Sequence, residues 1–132
     1  MMTNTCRAWL IFCVFTLLLG CRDDGLIEHE MEVTATAYNS LPGQTSGDPN
    51  VAAWGDTLDP SIPSIAVSRD LITLGLGHNA EVTIDGMPGT FLVRDKLNKR
   101  FTKRIDIYMG TDLKAAREFG KKTKTIRWSQ SP

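Results

Sequence analysis

The chain is short of the side chains on which much enzyme chemistry depends. Its three cysteines, Cys6, Cys13 and Cys21, all fall within the first 21 residues. Everything after them lacks a thiol, which excludes a disulfide framework, a thiolate metal site and a thiol nucleophile from that part. Histidine is nearly as scarce. His29 sits in an acidic stretch and His78 in a turn, without a second ligand at metal spacing, so neither a metal centre nor a cofactor is expected. A serine triad lacks any base but His78, no G-x-S-x-G elbow occurs, and no glycine-rich phosphate loop lies between a strand and a helix. No internal repeat or low-complexity tract is present, and no apolar run reaches the roughly 20 residues a membrane span needs. Overall charge is absent too, 15 basic residues standing against 15 acidic ones.

What is there begins with an address. Arg7 supplies a positive start and Ala8–Leu19 an apolar stretch of export-signal length. It ends in Leu18-Leu19-Gly20-Cys21, which resembles the bacterial lipoprotein signal, where the cysteine is diacylated and becomes the new N-terminus. Residues 1–20 are thus expected to leave as a signal peptide. Cys21 is the lipidation site, and more than one acyl chain there would give a durable membrane anchor. The following stretch to Glu30, rich in acids and without aromatics, reads as a tether, and residues 31–132 as one domain. The Cys-Arg-Asp-Asp start also looks like a tag that directs lipoproteins outward, so an outer-membrane location in the cell envelope is expected. Whether the anchor faces the periplasm or the cell surface stays open.

The balanced charge is segregated along the chain. Residues 22–85 carry eleven acids against Arg22 and Arg69, whereas from Arg94 onward twelve basic residues face Asp95, Asp106, Asp112 and Glu118. Such asymmetry suggests an anionic partner or a solvated basic face. Export removes nucleic acid and leaves phospholipid head groups or the carboxylates of cell-wall peptides.

The periodicity is mostly that of strands. Met31–Asn39 alternates Val33, Ala35 and Ala37 with Thr34, Thr36 and Tyr38. Short strands are expected around Val51–Trp54 and Ser64–Val67, with Leu71–Leu76 a turn that points apolar side chains inward. Ala80–Asp95 reads as a hairpin turning at Asp85-Gly86 and Pro88-Gly89. Arg104–Met109 puts Ile105, Ile107 and Met109 on one face and Arg104, Asp106 and Tyr108 on the other. Thr111 is placed to cap one late helix, Asp112–Phe119, which Gly120 ends, and Thr123–Trp128 is a last strand. Many short strands with one late helix predict a mainly β chain folded as a compact barrel.

With thiols gone and histidine scarce, proton chemistry falls to carboxylates, chiefly Asp70, Asp95 and Asp106. Asp95 and Asp106 lie eleven positions apart inside the most basic segment, RDKLNKRFTKRIDIY. Arg104 shares a strand face with Asp106 and is a candidate substrate contact, or else its structural ion-pair partner. In that pairing an arginine would lower the aspartate's pKa, opposite to what a general acid needs. Trp54 is a candidate sugar platform or a core residue. Tyr38 and Tyr108 are polar-tipped side chains able to line the same cleft.

The stretches AVSRDLITLGLGHNAEVTIDG, VRDKLNKRFTKRIDIYMG and FGKKTKTIRW resemble the 3D domain, named for three aspartates. That resemblance covers roughly Val33–Trp128 and implies a six-stranded double-psi β-barrel with one short late helix. It is similar to the catalytic barrel of membrane-bound lytic transglycosylase A and, more distantly, to rare lipoprotein A and the expansins. Asp95 and Asp106 fall on the family's second and third aspartates. Ser68 stands in place of the first, with Asp70 two positions on. Asp95-Lys96-Leu97-Asn98 replaces the family's D-T-G-G, removing glycines that bring backbone close to a sugar. Thr45-Ser46-Gly47 partly resembles its T-x-S-G loop. The resemblance implies action on peptidoglycan glycan strands at the β-1,4 bond between N-acetylmuramic acid and N-acetylglucosamine. Asp106 would be the general acid/base and Asp95 would orient the sugar, with Asp70, Trp54, Tyr108 and Arg104 as substrate contacts. The alternatives are a non-catalytic peptidoglycan-binding barrel and an expansin-like wall loosener.

Overall fold

The computed structural model describes residues 25–41 and 47–132. The signal peptide, Cys21, Arg22–Asp24 and the Thr45-Ser46 part of the loop match lie outside the described residues. Six strands close into a barrel: β1 (Ile27–Tyr38), β2 (Ser64–Val67), β3 (Glu81–Ile84), β4 (Phe91–Lys96), β5 (Arg104–Tyr108) and β6 (Lys122–Gln130). Their order around it is β1-β5-β2-β4-β3-β6. β1 runs parallel to β5 and β2 parallel to β4, while the remaining neighbours are antiparallel. The chain is the mainly β barrel that the strand pattern predicts, in the six-stranded double-psi form that the resemblance implies.

Strand alternation builds the core. Val33 and Ala35 of β1, Ile65 and Val67 of β2, and Val82 and Ile84 of β3 are buried and point inward. Phe91 and Val93 of β4, Ile105 and Ile107 of β5, and Ile126 and Trp128 of β6 complete it. Each of the valine, isoleucine and phenylalanine side chains among them stabilises the fold by about 1.5–3 kcal/mol relative to leaving it in water. Trp128 can be buried because its indole N–H donates to the Leu74 carbonyl at 3.0 Å.

Four local expectations change. β1 starts at Ile27, so Ile27–Glu30, expected as the end of the tether, are strand residues paired with Gln130–Arg127 of β6. A second, one-turn helix, α1 (Arg69–Ile72), stands where only a turn was expected, and it drives Leu71 into the core. The late helix is α2 (Leu113–Phe119), capped by Asp112 rather than Thr111. The Asp112 carboxylate accepts the Ala115 N–H at 2.9 Å, and Gly120 at φ 65° ends the helix. Val51–Trp54 is not a strand but part of a loop with one bridge, Val51 to Thr57. Ala52 and Leu58 hold that loop against Tyr108 and Tyr38 on the outside of the barrel.

Candidate functional site

Register decides which polar residues meet. Thr36 of β1 pairs with Asp106 of β5, Asp106 pairs with Ala66 of β2, and Ala66 pairs with Asp95 of β4. These four residues form one row across four adjacent strands. Ile105 and Ile107 occupy the inside, so Asp106 faces out. Asp95 shares its row because the register slips between Ile65–Val93 and Ala66–Asp95, leaving Arg94 as an extra residue. Two strand spacings set the two aspartates' Cα atoms roughly 10 Å apart. Only the small Ala66, itself buried, lies between them.

Asp106 is half-buried, and Arg104 Nε lies 3.6 Å from its Oδ1, an ion pair longer than a hydrogen bond. The guanidinium is held elsewhere: Nη2 donates to Thr36 Oγ1 at 3.0 Å and its plane lies 4.3 Å from the Phe101 ring centroid. Arg104 was expected to lower the Asp106 pKa, yet the net direction is upward. Burial is the largest influence and raises it, Arg104 pulls it down, and the Asp95 charge pushes it up again. Asp106 therefore has the direction of shift that an acid working near neutral pH needs.

Tyr38 and Tyr108 are register partners one step further along, with ring centroids 5.4 Å apart and tilted by 45°. The Tyr108 hydroxyl is satisfied by Ser40 Oγ at 2.8 Å in a buried setting. The Tyr38 hydroxyl, Asp106 Oδ1 and Arg104 Nε are buried atoms with no hydrogen-bond partner among the described residues. Burial, then the Asp95 and Asp106 charges, then Tyr108, push the Tyr38 phenol far up. It stays protonated and can both donate and accept.

Asp95 has a different task from Asp106. Its Oδ1 accepts the N–H groups of Ala53 and Lys96, each at 2.8 Å, and so fastens the 51–58 loop to β4. The same loop brings Trp54, which is half-buried against the core. The indole stacks on His78 at 5.1 Å, and the Lys96 ammonium sits 4.9 Å from its centroid. Asp56 beneath them binds Arg94 Nη1 at 3.0 Å and also contacts His78 Nε2. Trp54 is thus engaged within the protein, next to the Ala53 N–H that Asp95 holds.

Asp70 lies apart from this row. In the first turn of α1 it accepts the backbone N–H of Lys103 at 2.9 Å, holding that residue at φ 44°. Burial would raise its pKa, but the Ser68 hydroxyl and the N–H groups of Lys103, Asp70 and Leu71 outweigh it and lower the value. Ser68 is fully buried and accepts the Arg104 N–H at 3.0 Å. Both residues brace the start of β5. No three metal-ligating side chains converge among the described residues.

Of the predicted site residues, the fold brings together Asp106, Asp95, Arg104 and Tyr108, with Trp54 at the margin and Asp70 outside. Thr36 and Ala66 were not singled out. The alternation of β1 places Thr36 on the outward face, but its pairing with Asp106 spans most of the chain and leaves no local signal.

No protein-family model matches this chain, and no curated protein matches its sequence. Solved structures do match. Streptomyces papain inhibitor is 18% identical over 76% of this chain and 94% of its own, with a TM-score of 0.52. An apo expansin from Clavibacter michiganensis is 15% identical over 79% of this chain, with a TM-score of 0.50. A variant of that expansin in complex with cellohexaose is 14% identical over 77%, with a TM-score of 0.49. The chain spans about half the length of the expansins, 52% and 50%. At these identities, what the chain shares with its neighbours is the barrel fold.

Proposed function

We propose that this protein is a cell-envelope module that binds peptidoglycan glycan strands along the outward row of Thr36, Asp106, Ala66 and Asp95. The observation that carries the reading is that row, beside which the Tyr38 hydroxyl has no hydrogen-bond partner among the described residues and Arg104 meets Asp106 only at 3.6 Å. Buried polar groups are nearly always hydrogen-bonded, so an unpartnered hydroxyl beside a loosely paired carboxylate and guanidinium supports a ligand that supplies the bonds. These groups offer both donors and acceptors, as a polyhydroxyl ligand requires. The quoted motifs, the barrel and the envelope address at Cys21 agree with a member of the 3D domain family that acts on the wall. Ser68 in place of the first aspartate and the loss of D-T-G-G favour a binder over a catalyst.

The second reading is a lytic transglycosylase, favoured by the raised Asp106 pKa. Protonated Asp106 would give its proton to the glycosidic oxygen as the bond to the anomeric carbon breaks. The muramyl 6-hydroxyl would then attack that carbon and return its proton to the carboxylate, closing a 1,6-anhydro ring.

Sedimentation of the protein with purified sacculi, with mass spectrometry of the supernatant, separates the two. Co-sedimentation without soluble product is the expected result. Release of 1,6-anhydromuropeptides that Asp106→Asn abolishes would establish the enzyme instead, and neither binding nor product would sink both readings.

A further inference from the structure

The loop that joins the two acidic strands is cationic. β4 carries Asp95 and ends on Lys96, while Lys103 directly precedes β5, which begins at Arg104 and carries Asp106. Between them the loop adds Lys99 and Arg100, both exposed, and the exposed Arg69 reaches the Leu97 carbonyl at 3.5 Å. None of Arg69, Lys96, Lys99, Arg100 or Lys103 forms an ion pair among the described residues, whereas Arg94, Arg104, Lys114 and Arg127 all do. Asp70, which meets this loop, spends Oδ2 on the Lys103 backbone N–H rather than on a side-chain charge.

The loop is held in shape rather than loosely solvated. The Leu97 N–H donates to the Val67 carbonyl and the Thr34 N–H to the Lys103 carbonyl, each at 2.9 Å. Lys103 is kept at positive φ, a conformation that costs a non-glycine residue energy and persists only where neighbours impose it. Arg100 and Arg104 lie over Phe101 at 4.7 and 4.3 Å. The neighbouring loop from Asp48 to Pro60 brings Trp54 under the Lys96 ammonium at 4.9 Å, and its Asp56 is already paired with Arg94 and His78.

We infer that this cationic loop binds carboxylates of the peptides carried by the glycan strand, so the ligand is peptide-bearing peptidoglycan rather than bare glycan. This rests on the glycan-binding reading above and adds orientation to it. A strand lying along the row of Thr36, Asp106, Ala66 and Asp95 places its sugars on those residues and its peptides toward Lys96–Lys103.

The test uses the full-length protein in detergent and three probes: intact sacculi, glycan strands stripped of peptide by an amidase, and phosphatidylglycerol vesicles. The variant is Lys96→Gln, Lys99→Gln, Arg100→Gln combined, leaving the strained Lys103 untouched and checked for wild-type circular dichroism. One exposed cation–carboxylate contact is a few-fold effect, so three together predict about tenfold weaker binding to sacculi. That loss should shrink as salt rises, because exposed charges are screened beyond about 8 Å at physiological ionic strength. Stripped strands should bind wild type and variant alike, more weakly than sacculi bind wild type. Equal wild-type affinity for sacculi and stripped strands would overturn the inference while leaving glycan binding standing. So would a variant that loses vesicles but keeps sacculi, which would assign the loop to phosphate head groups. Binding to neither polymer would remove the glycan reading itself. Should the triple variant not fold, Lys99→Glu alone, at a fully exposed turn position, gives the same comparison.

Discussion

Replacing Tyr38 by Phe removes a single oxygen, and the sign of its effect on stability tests the site directly. The ring packs on Tyr108 at 5.4 Å and against the Ala52–Leu58 cluster, contacts that phenylalanine keeps. The hydroxyl is buried and unpartnered among the described residues. Burying a hydroxyl without a hydrogen bond costs about 1–3 kcal/mol on the scale of protein mutants. Removing it should therefore stabilise the fold by about 1–2 kcal/mol. For a domain of this size each kcal/mol moves the midpoint by about 4–8 °C, so thermal unfolding followed by circular dichroism should show a rise of about 5–10 °C. A tyrosine whose hydroxyl is satisfied gives the opposite sign, a loss of about 1 kcal/mol. Because the phenol stays protonated, the gain should not depend on pH across the neutral range. Co-sedimentation with sacculi should weaken about fivefold in the same variant, the worth of about one hydrogen bond. A lowered midpoint would refute the reasoning by showing that the hydroxyl is bonded within the fold. A raised midpoint with unchanged binding would remove Tyr38 from the glycan contact.

Asp95→Ala should cost about 1.5–3 kcal/mol, because it strands the Ala53 and Lys96 N–H groups, whereas Asp95→Asn keeps an acceptor and should cost clearly less. Equal midpoints for the two variants in thermal melts would show that Asp95 does not anchor the 51–58 loop. Asp106 has a folded-state pKa above its unfolded one, so its ionisation weakens the fold as pH rises from the unfolded value of 3.8 through the folded one. Asp106→Asn should accordingly be more stable than wild type at pH 7, with the difference vanishing below the unfolded pKa, as urea titrations at several pH values will read. Asp95→Asn should lower the Asp106 pKa by removing a like charge, visible as a shifted carboxyl titration by NMR. For localisation, Cys21→Ser should move the protein from the membrane to the soluble envelope fraction, and unchanged membrane association would mean the lipoprotein signal was misread.

Local pattern carried most of the fold into view. The alternation in Met31–Asn39 and Arg104–Met109, the Asp85-Gly86 turn and the Gly120 stop all depend on neighbours a few residues apart, and each element is where that pattern puts it. One-turn α1 escaped because four residues of helix and a plain turn share the same signals. What distinguishes α1 is the burial of Leu71 against distant strands. The early start of β1 depends on β6 extending to Gln130 to pair with it, a fact stored almost a hundred residues away. The spacing of Asp95 and Asp106 was legible, but their meeting was not. It rests on two long-range registers through Ala66 and a slip at Arg94, and a one-residue change in either would turn an aspartate to the other face. The same holds for the charge state of Asp106. Sequence places Arg104 on its face and predicts a lowered pKa. Only the closed barrel, by withdrawing the carboxyl from water while Thr36 and Phe101 hold the guanidinium, lets desolvation outweigh the ion pair.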